Sequence, residues 1–241
     1  MIYNLDKIIR DYPSLQCRSS SAADSVIIEG NFVVNAEYSD ISFLLDYSIY
    51  AELFNEENKV PIIKETGGKI DRKYPHVNKD GSLCLEISSE ILDKCTDAFG
   101  FNAEVWFNTF VISYFYSYRY YKEYGRYPFG ERKHGVAGIL EYYQQKFGVE
   151  TQAKSFECLS YSANHRYRGH LPCPCGSGKR IRNCHSKELW EAQIPSNKKR
   201  IQMDYKIIRE EQEMINRYER IKYRAKQRKD AYATIRRSKV F

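Results

Sequence analysis

The stretch Tyr74-Pro75-His76-Val77-Asn78-Lys79-Asp80-Gly81-Ser82-Leu83-Cys84-Leu85-Glu86-Ile87 decides how the rest of the chain is read. Asp80-Gly81 is a turn signal, because glycine takes positive φ at no steric cost. Cys84 comes three residues after Gly81, at the start of an apolar alternation through Leu83, Leu85 and Ile87. A thiol just beyond a tight turn is presented at a surface. There it acts as a nucleophile if its pKa falls below about 8.5. The competing reading is a small buried hydrophobe, the ordinary state of a free cysteine.

Upstream of this loop, Ile2, Leu5, Ile8 and Ile9 fall at helical spacing and predict a helix over residues 2 to about 12, ended by Pro13. Ser19-Ser20-Ser21 reads as a polar loop. Residues 26–34 are β-branched and predict a strand with a bulge at Gly30. Ser39-Asp40 predicts a turn, residues 41–50 a second strand pairing with the first, and residues 60–65 a third with Pro61 at its start. Gly67-Gly68 breaks the chain ahead of the Cys84 loop.

Downstream, Trp106, Phe107, Phe110, Val111, Tyr114, Phe115, Tyr118 and Tyr121 recur at spacings of three and four within residues 102–124. That is the stripe of a buried helix, closed by Gly125. Tyr127-Pro128-Phe129-Gly130 predicts a turn. A second helix runs from about His134 to Phe147, with Val136, Ile139, Leu140 and Tyr143 inward and Gly148 at its end. Residues 151–170 are polar and mixed and read as a linker.

The loop and the element order together resemble bacterial ubiquitin-conjugating-like enzymes. In that family His-Pro-Asn is followed by a turn and then Gly-Ser-(Ile/Leu)-Cys-Leu-(Asp/Glu)-Ile. Gly81-Ser82-Leu83-Cys84-Leu85-Glu86-Ile87 matches the second part, whereas Tyr74-Pro75-His76 stands where His-Pro-Asn is expected. The resemblance covers roughly residues 1–150 and implies an α+β fold: N-terminal helix, antiparallel meander, cysteine loop and C-terminal helices. It also implies that Cys84 accepts a protein C-terminus as a thioester and passes it to an amine. His76 replaces the family's asparagine, and an imidazole there can donate to an oxyanion or take a proton. Asn78 and Asp80 are near enough to shape the loop. The implied partners are an activating enzyme with a ubiquitin-like protein, or the C-terminus of a cGAS-like nucleotidyltransferase in an antiphage system of the CBASS type.

A second motif lies in residues 171–190. Cys173-Pro174-Cys175-Gly176-Ser177-Gly178-Lys179-Arg180-Ile181-Arg182-Asn183-Cys184-His185 spaces C-x-C, eight residues, then C-H. Cys173, Cys175, Cys184 and His185 make a closed Cys₃His set, which is structural-zinc chemistry. All four positions are protein, so none is left for a catalytic water. Gly176 and Gly178 let the backbone fold around the ion, and Lys179, Arg180 and Arg182 offset the thiolate charge. The run resembles the SEC-C motif.

The charge is uneven. The chain of 241 residues carries +7, but residues 196–241 alone hold 15 Lys+Arg against 6 Asp+Glu. The basic excess therefore belongs to the tail. Ile201, Tyr205, Ile208, Ile215, Tyr218 and Ala225 keep a helical period there, with Glu213 four residues before Arg217. This predicts a long basic amphipathic helix that docks an acidic partner, dimerises or stays solvated. A nucleic acid is among the partners such a tail admits. No apolar run reaches the length of a membrane span and no signal-peptide pattern opens the chain, so a cytoplasmic location is expected. In that reducing setting the scattered Cys17, Cys95 and Cys158 read as free thiols. The alternative to a transferase is a non-catalytic adaptor of the same fold, using the zinc knob and basic helix to bind a protein or nucleic acid.

Overall fold

The computed structural model describes residues 1–20 and 24–238, with side chains as far as residue 226 in the last helix. The chain is α+β and forms two compact units, Met1–Lys133 and His134–Phe241.

In the first unit a short strand β1 (Ile2–Tyr3) precedes helix α1 (Leu5–Asp11). A four-stranded antiparallel sheet follows in the order β2 (Leu15–Ser19), β3 (Ser25–Tyr38), β4 (Ile41–Phe54), β5 (Ile62–Glu65). β3 and β4 are both longer than the sequence suggested. They are joined at Ser39 and Asp40, whose φ values of 48° and 65° are those of a two-residue hairpin turn. β2 fills residues that the sequence reading left unassigned and takes in Ser19, the first residue of the expected Ser19–Ser21 loop; Ser20 lies beyond the strand and Ser21 outside the described residues.

β4 shows why this sheet forms. Leu45, Tyr47, Ile49, Ala51 and Leu53 are buried and alternate with Asp46, Ser48, Tyr50 and Glu52, so one face is apolar. Gly30 does not mark a bulge: β3 pairs with β4 without interruption from Ser25↔Phe54 to Tyr38↔Ile41. It is a close-approach glycine instead. At its φ of 131° an added Cβ would lie 2.3 Å from the Ser14 carbonyl oxygen.

The apolar face is covered by residues 103–124: α3 (Ala103–Trp106), a π-helical segment (Phe107–Val111) and α4 (Ile112–Tyr124). Phe107 and Phe115 meet Phe32 at ring-centroid distances of 5.6 and 5.2 Å, and Phe115 meets Tyr47 at 4.4 Å. Each such fully buried side chain contributes about 1.5–3 kcal/mol. The π-helical segment adds a residue to the turn and rephases the stripe, a feature that helical spacing did not predict.

The alternation after Cys84 does not become a strand. It runs into helix α2 (Ser88–Cys95), and then β6 (Thr96–Asp97) and β7 (Gly100–Asn102) form a small sheet with β1.

The second unit begins with α5 (Gly135–Phe147), which packs with α6 (Gln152–Asn164) and α8 (Pro195–Ser238). The stretch read as a linker therefore carries helix α6. Its apolar stripe is Cys158, Leu159 and Ala163, completed by the buried Ser155, whose hydroxyl donates to the Leu140 carbonyl at 2.9 Å. Sequence grouped α5 with residues 1–150; in space it belongs with α6 and α8.

The cysteine-rich segment and the short α7 (Ser186–Glu191) lie between α6 and α8. α8 is held at its start by Ile201 and Ile208, by Asp204 accepting from the Tyr143 hydroxyl at 2.9 Å, and by Lys198 donating to the Ser162 and His165 carbonyls. Past Ile208 its side chains are exposed apart from the half-buried Glu211, Ile215 and Tyr218 among the exposed ones, as far as residue 226. Glu213 pairs with Arg209 at 3.7 Å, on the side opposite the expected Arg217. Lys239 lies outside the described residues. No helix among the described residues is long and apolar enough to cross a membrane.

Candidate functional site

The Cys84 loop is a hydrogen-bonded hairpin. Val77 and Leu83 form a bridge, Asn78 donates its amide to the Ser82 carbonyl at 2.8 Å, and Gly81 donates to the Asn78 carbonyl at 2.9 Å. Gly81 has φ 81°, the left-handed value that the Asp80-Gly81 signal requires. Asp80 Oδ1 accepts from both the amide and the hydroxyl of Ser82, and these bonds hold its carboxyl below the usual range. Asn78 Nδ2 donates to Ser82 Oγ at 3.0 Å, so Asn78 and Asp80 both shape the turn. The returning arm docks on the sheet edge: Leu83 donates to the Ile63 carbonyl, and Ser82 bridges Lys64.

The hairpin sets Cys84 beside His76. The Cys84 amide donates to the His76 carbonyl at 2.9 Å, and a ring nitrogen of His76 lies within 4.8 Å of the Cys84 sulfur. Cys84 is half-buried, neither fully exposed nor sealed in the core. Burial pushes its thiol up, and the charge of Glu86 adds to the shift. A protonated thiol near an imidazole needs a proton acceptor before it can attack a carbonyl, and the imidazole is placed to be one.

Tyrosines on α4 hold the surrounding loops. Tyr114 donates to the His76 carbonyl at 3.0 Å, Tyr116 to the Ile41 carbonyl at 2.9 Å, and Tyr118 to the Lys69 carbonyl at 3.1 Å. Each buries a ring and spends its hydroxyl on a loop backbone, which accounts for the tyrosine-rich stripe. Sequence reading placed the Tyr114 and Tyr118 rings in the core, did not single out Tyr116, and missed all three hydroxyls. It also missed Glu131 and Arg132. Glu131 Oε1 lies 3.6 Å from His76 Nε2, while Arg132 binds Glu86 at 3.1 Å and Glu90 at 2.7 Å. Their only signal in sequence is a charged run after the Tyr127–Gly130 turn.

The second site lies wholly within the other unit. Cys173, Cys175, Cys184 and His185 offer ligand atoms that all lie within 4.8 Å of one another. His185 Nδ1 is 3.2 Å from Cys173 Sγ and 3.3 Å from Cys184 Sγ, and the sulfurs of Cys175 and Cys184 are 3.5 Å apart. A zinc tetrahedron with ordinary bond lengths has edges of about 3.5–3.8 Å, so the set fits such an ion with little movement.

The backbone turn is closed by Cys173 donating to the Lys179 carbonyl and Ile181 to the Leu171 carbonyl. Burial raises the Cys173 thiol. At Cys175 burial is outweighed by hydrogen bonds from Ser177 and the neighbouring thiols, and its pKa is lowered. This cluster can therefore supply thiolate to a cation. Cys158 packs nearby, but burial and the other thiols push it up to about 12.

Comparison with family models, curated proteins and solved structures returned no match.

Proposed function

We propose that the chain is a ubiquitin-conjugating-like transferase, with Cys84 as the acyl carrier and His76 handling the proton. The observation that carries this reading is the hairpin that sets a half-buried thiol within reach of an imidazole, in a loop whose sequence resembles that family. A protein C-terminus delivered as an activated acyl group would form a thioester with Cys84, and an amine would then displace the sulfur. The chemistry asks for a placed thiol, a proton acceptor and a steadied oxyanion, all of which short loops can provide. The fold reading belongs with it: an N-terminal helix, an antiparallel meander and a cysteine loop in that order. The Cys173–His185 cluster would hold structural zinc in a SEC-C-like knob. An activating enzyme and a ubiquitin-like protein, or a nucleotidyltransferase C-terminus, would be the partners.

The raised Cys84 thiol favours a second reading, a binding module in which the loop no longer reacts. One experiment separates the two. The purified chain is incubated with a candidate activating enzyme, ATP and a ubiquitin-like protein, and analysed on non-reducing gels. The transferase reading expects an adduct that thiol reductant removes and that Cys84→Ala abolishes. An adduct of unchanged yield in Cys84→Ala, or none in the wild type with a partner shown to charge other carriers, overturns it.

A further inference from the structure

We propose that Glu131 is the positioning residue of a Cys84–His76–Glu131 constellation, in which the carboxylate holds the imidazole ready to accept the thiol proton. This rests on the reading of Cys84 as an acyl carrier and extends it by one residue.

Glu131 reaches the site on residues 125–133, which return from the end of α4 across the cysteine loop. The segment has no regular secondary structure, yet it is anchored on both sides of Glu131. Before it, Tyr127 stacks on Tyr121 at 4.9 Å and meets His76 edge-on at 5.1 Å, and Phe129 meets Tyr38 at 4.7 Å. After it, Arg132 is only 18% exposed and bridges Glu86 and Glu90. These anchors fix a carboxylate 3.6 Å from His76 Nε2, an imidazole that is itself only 18% exposed. Arg132 has a further effect, since it opposes the negative charge of Glu86 that holds the Cys84 proton on.

Within Met1–Lys133 the groups facing the imidazole include Glu131, the Cys84 thiol and the phenols of Tyr74 and Tyr127. Burial pushes both phenols up, so they stay neutral near pH 7 and the negative charge among these groups is the Glu131 carboxylate. In the charging step the thiol proton passes from Cys84 Sγ to a ring nitrogen of His76. The sulfur then bonds to the carbonyl carbon of a thioester donor, and the donor's thiolate leaves and takes up that proton. In the transfer step an amine nitrogen bonds to the same carbon and the carbon–sulfur bond breaks. The amine proton passes through His76 to the departing Cys84 thiolate. The Glu131 carboxylate takes up no proton in either step and stabilises the imidazolium formed in each.

The test needs no transfer partner. Alkylation of Cys84 by iodoacetamide is followed from pH 5 to 9, with the Cys84 peptide quantified by mass spectrometry so that Cys17 does not contribute. The wild type is expected to show a low-pH limb that rises with imidazole ionisation near about 6.5, ahead of the thiol's own ionisation. Glu131→Gln is expected to lower that limb about tenfold, the effect of removing one partly buried charge beside the imidazole, and to leave the upper limb unchanged. Glu131→Asp, which keeps the charge and withdraws it by one methylene, is expected to restore part of the limb and guards against an amide that disturbs the segment. A Glu131→Gln profile that superimposes on the wild type, or an Asp variant no better than Gln, overturns the assignment. A limb that depends on Glu131 in a chain that forms no adduct retires the transfer reading alone; an adduct with a limb indifferent to Glu131 retires the constellation alone.

Discussion

Two turns in this molecule present cysteine beside histidine, and they treat the sulfur in opposite ways. Each contains a Gly-Ser pair, Gly81-Ser82 in one and Gly176-Ser177 in the other. Each is closed by a backbone bond at a cysteine amide, Cys84 to His76 at 2.9 Å and Cys173 to Lys179 at 2.8 Å. The difference is in the surroundings. Burial pushes the Cys84 thiol up and the charge of Glu86 adds to it, so its proton stays on until a base removes it. Cys175 is pulled down by Ser177 and its fellow thiols, in a segment that also carries Lys179, Arg180 and Arg182. The same residue type keeps its proton in one place and gives it up more readily in a cluster that could hold a cation in the other, because the neighbourhood decides where the proton lies.

Removing metal is the strongest way to separate the two turns. Structural zinc supplies about 10 kcal/mol or more of folding free energy to a small knuckle. Zinc analysis of the purified chain is expected to find one ion per chain. Chelation or Cys175→Ser is expected to abolish amide-exchange protection over residues 171–185 and leave that over residues 77–84 intact. Equal loss in both turns would break the contrast.

A smaller effect is expected from Tyr114→Phe, which leaves the His76 carbonyl with the Cys84 amide as its donor. It should cost about 0.5–1.5 kcal/mol in a denaturant melt. It should also speed exchange at the Cys84 amide with no change in zinc content, and unchanged exchange at Cys84 would show that the hairpin holds itself without α4.

Acid gives the smallest effect. The Asp80 carboxyl is held below its usual range, so its contribution is fully present above about pH 4 and is lost as pH falls through the lower folded value. Ser82 amide protection, corrected for intrinsic rate, should match between pH 7 and 5 and drop toward pH 2. In Asp80→Asn it should show no such drop.

Much of the frame was legible. β3, β4 and the helix over residues 103–124 follow from period-two and period-3.6 burial, and Gly125 and Gly148 close α4 and α5 as their spacing suggested. β2 was not legible, because it buries only Leu15 and so carries no alternation. α6 was hidden because its inner face uses Ser155 and Ser162, polar residues that close packing buries. Gly30 reads as a bulge or a close approach from sequence alone; only the Ser14 carbonyl distinguishes them.

By itself the sequence picked out the Cys173, Cys175, Cys184 and His185 cluster that could hold a metal ion, since four such side chains within one short segment can close on an ion wherever the rest of the chain goes. It also determined that a turn precedes Cys84, because Asp80-Gly81 acts through local backbone sterics. Tertiary structure alone decided what surrounds that sulfur. The Tyr114 hydroxyl, the Glu131 carboxylate and the Arg132 guanidinium come from distant parts of the chain, and Coulomb and hydrogen-bond energies depend on distance in space, to which sequence separation is blind.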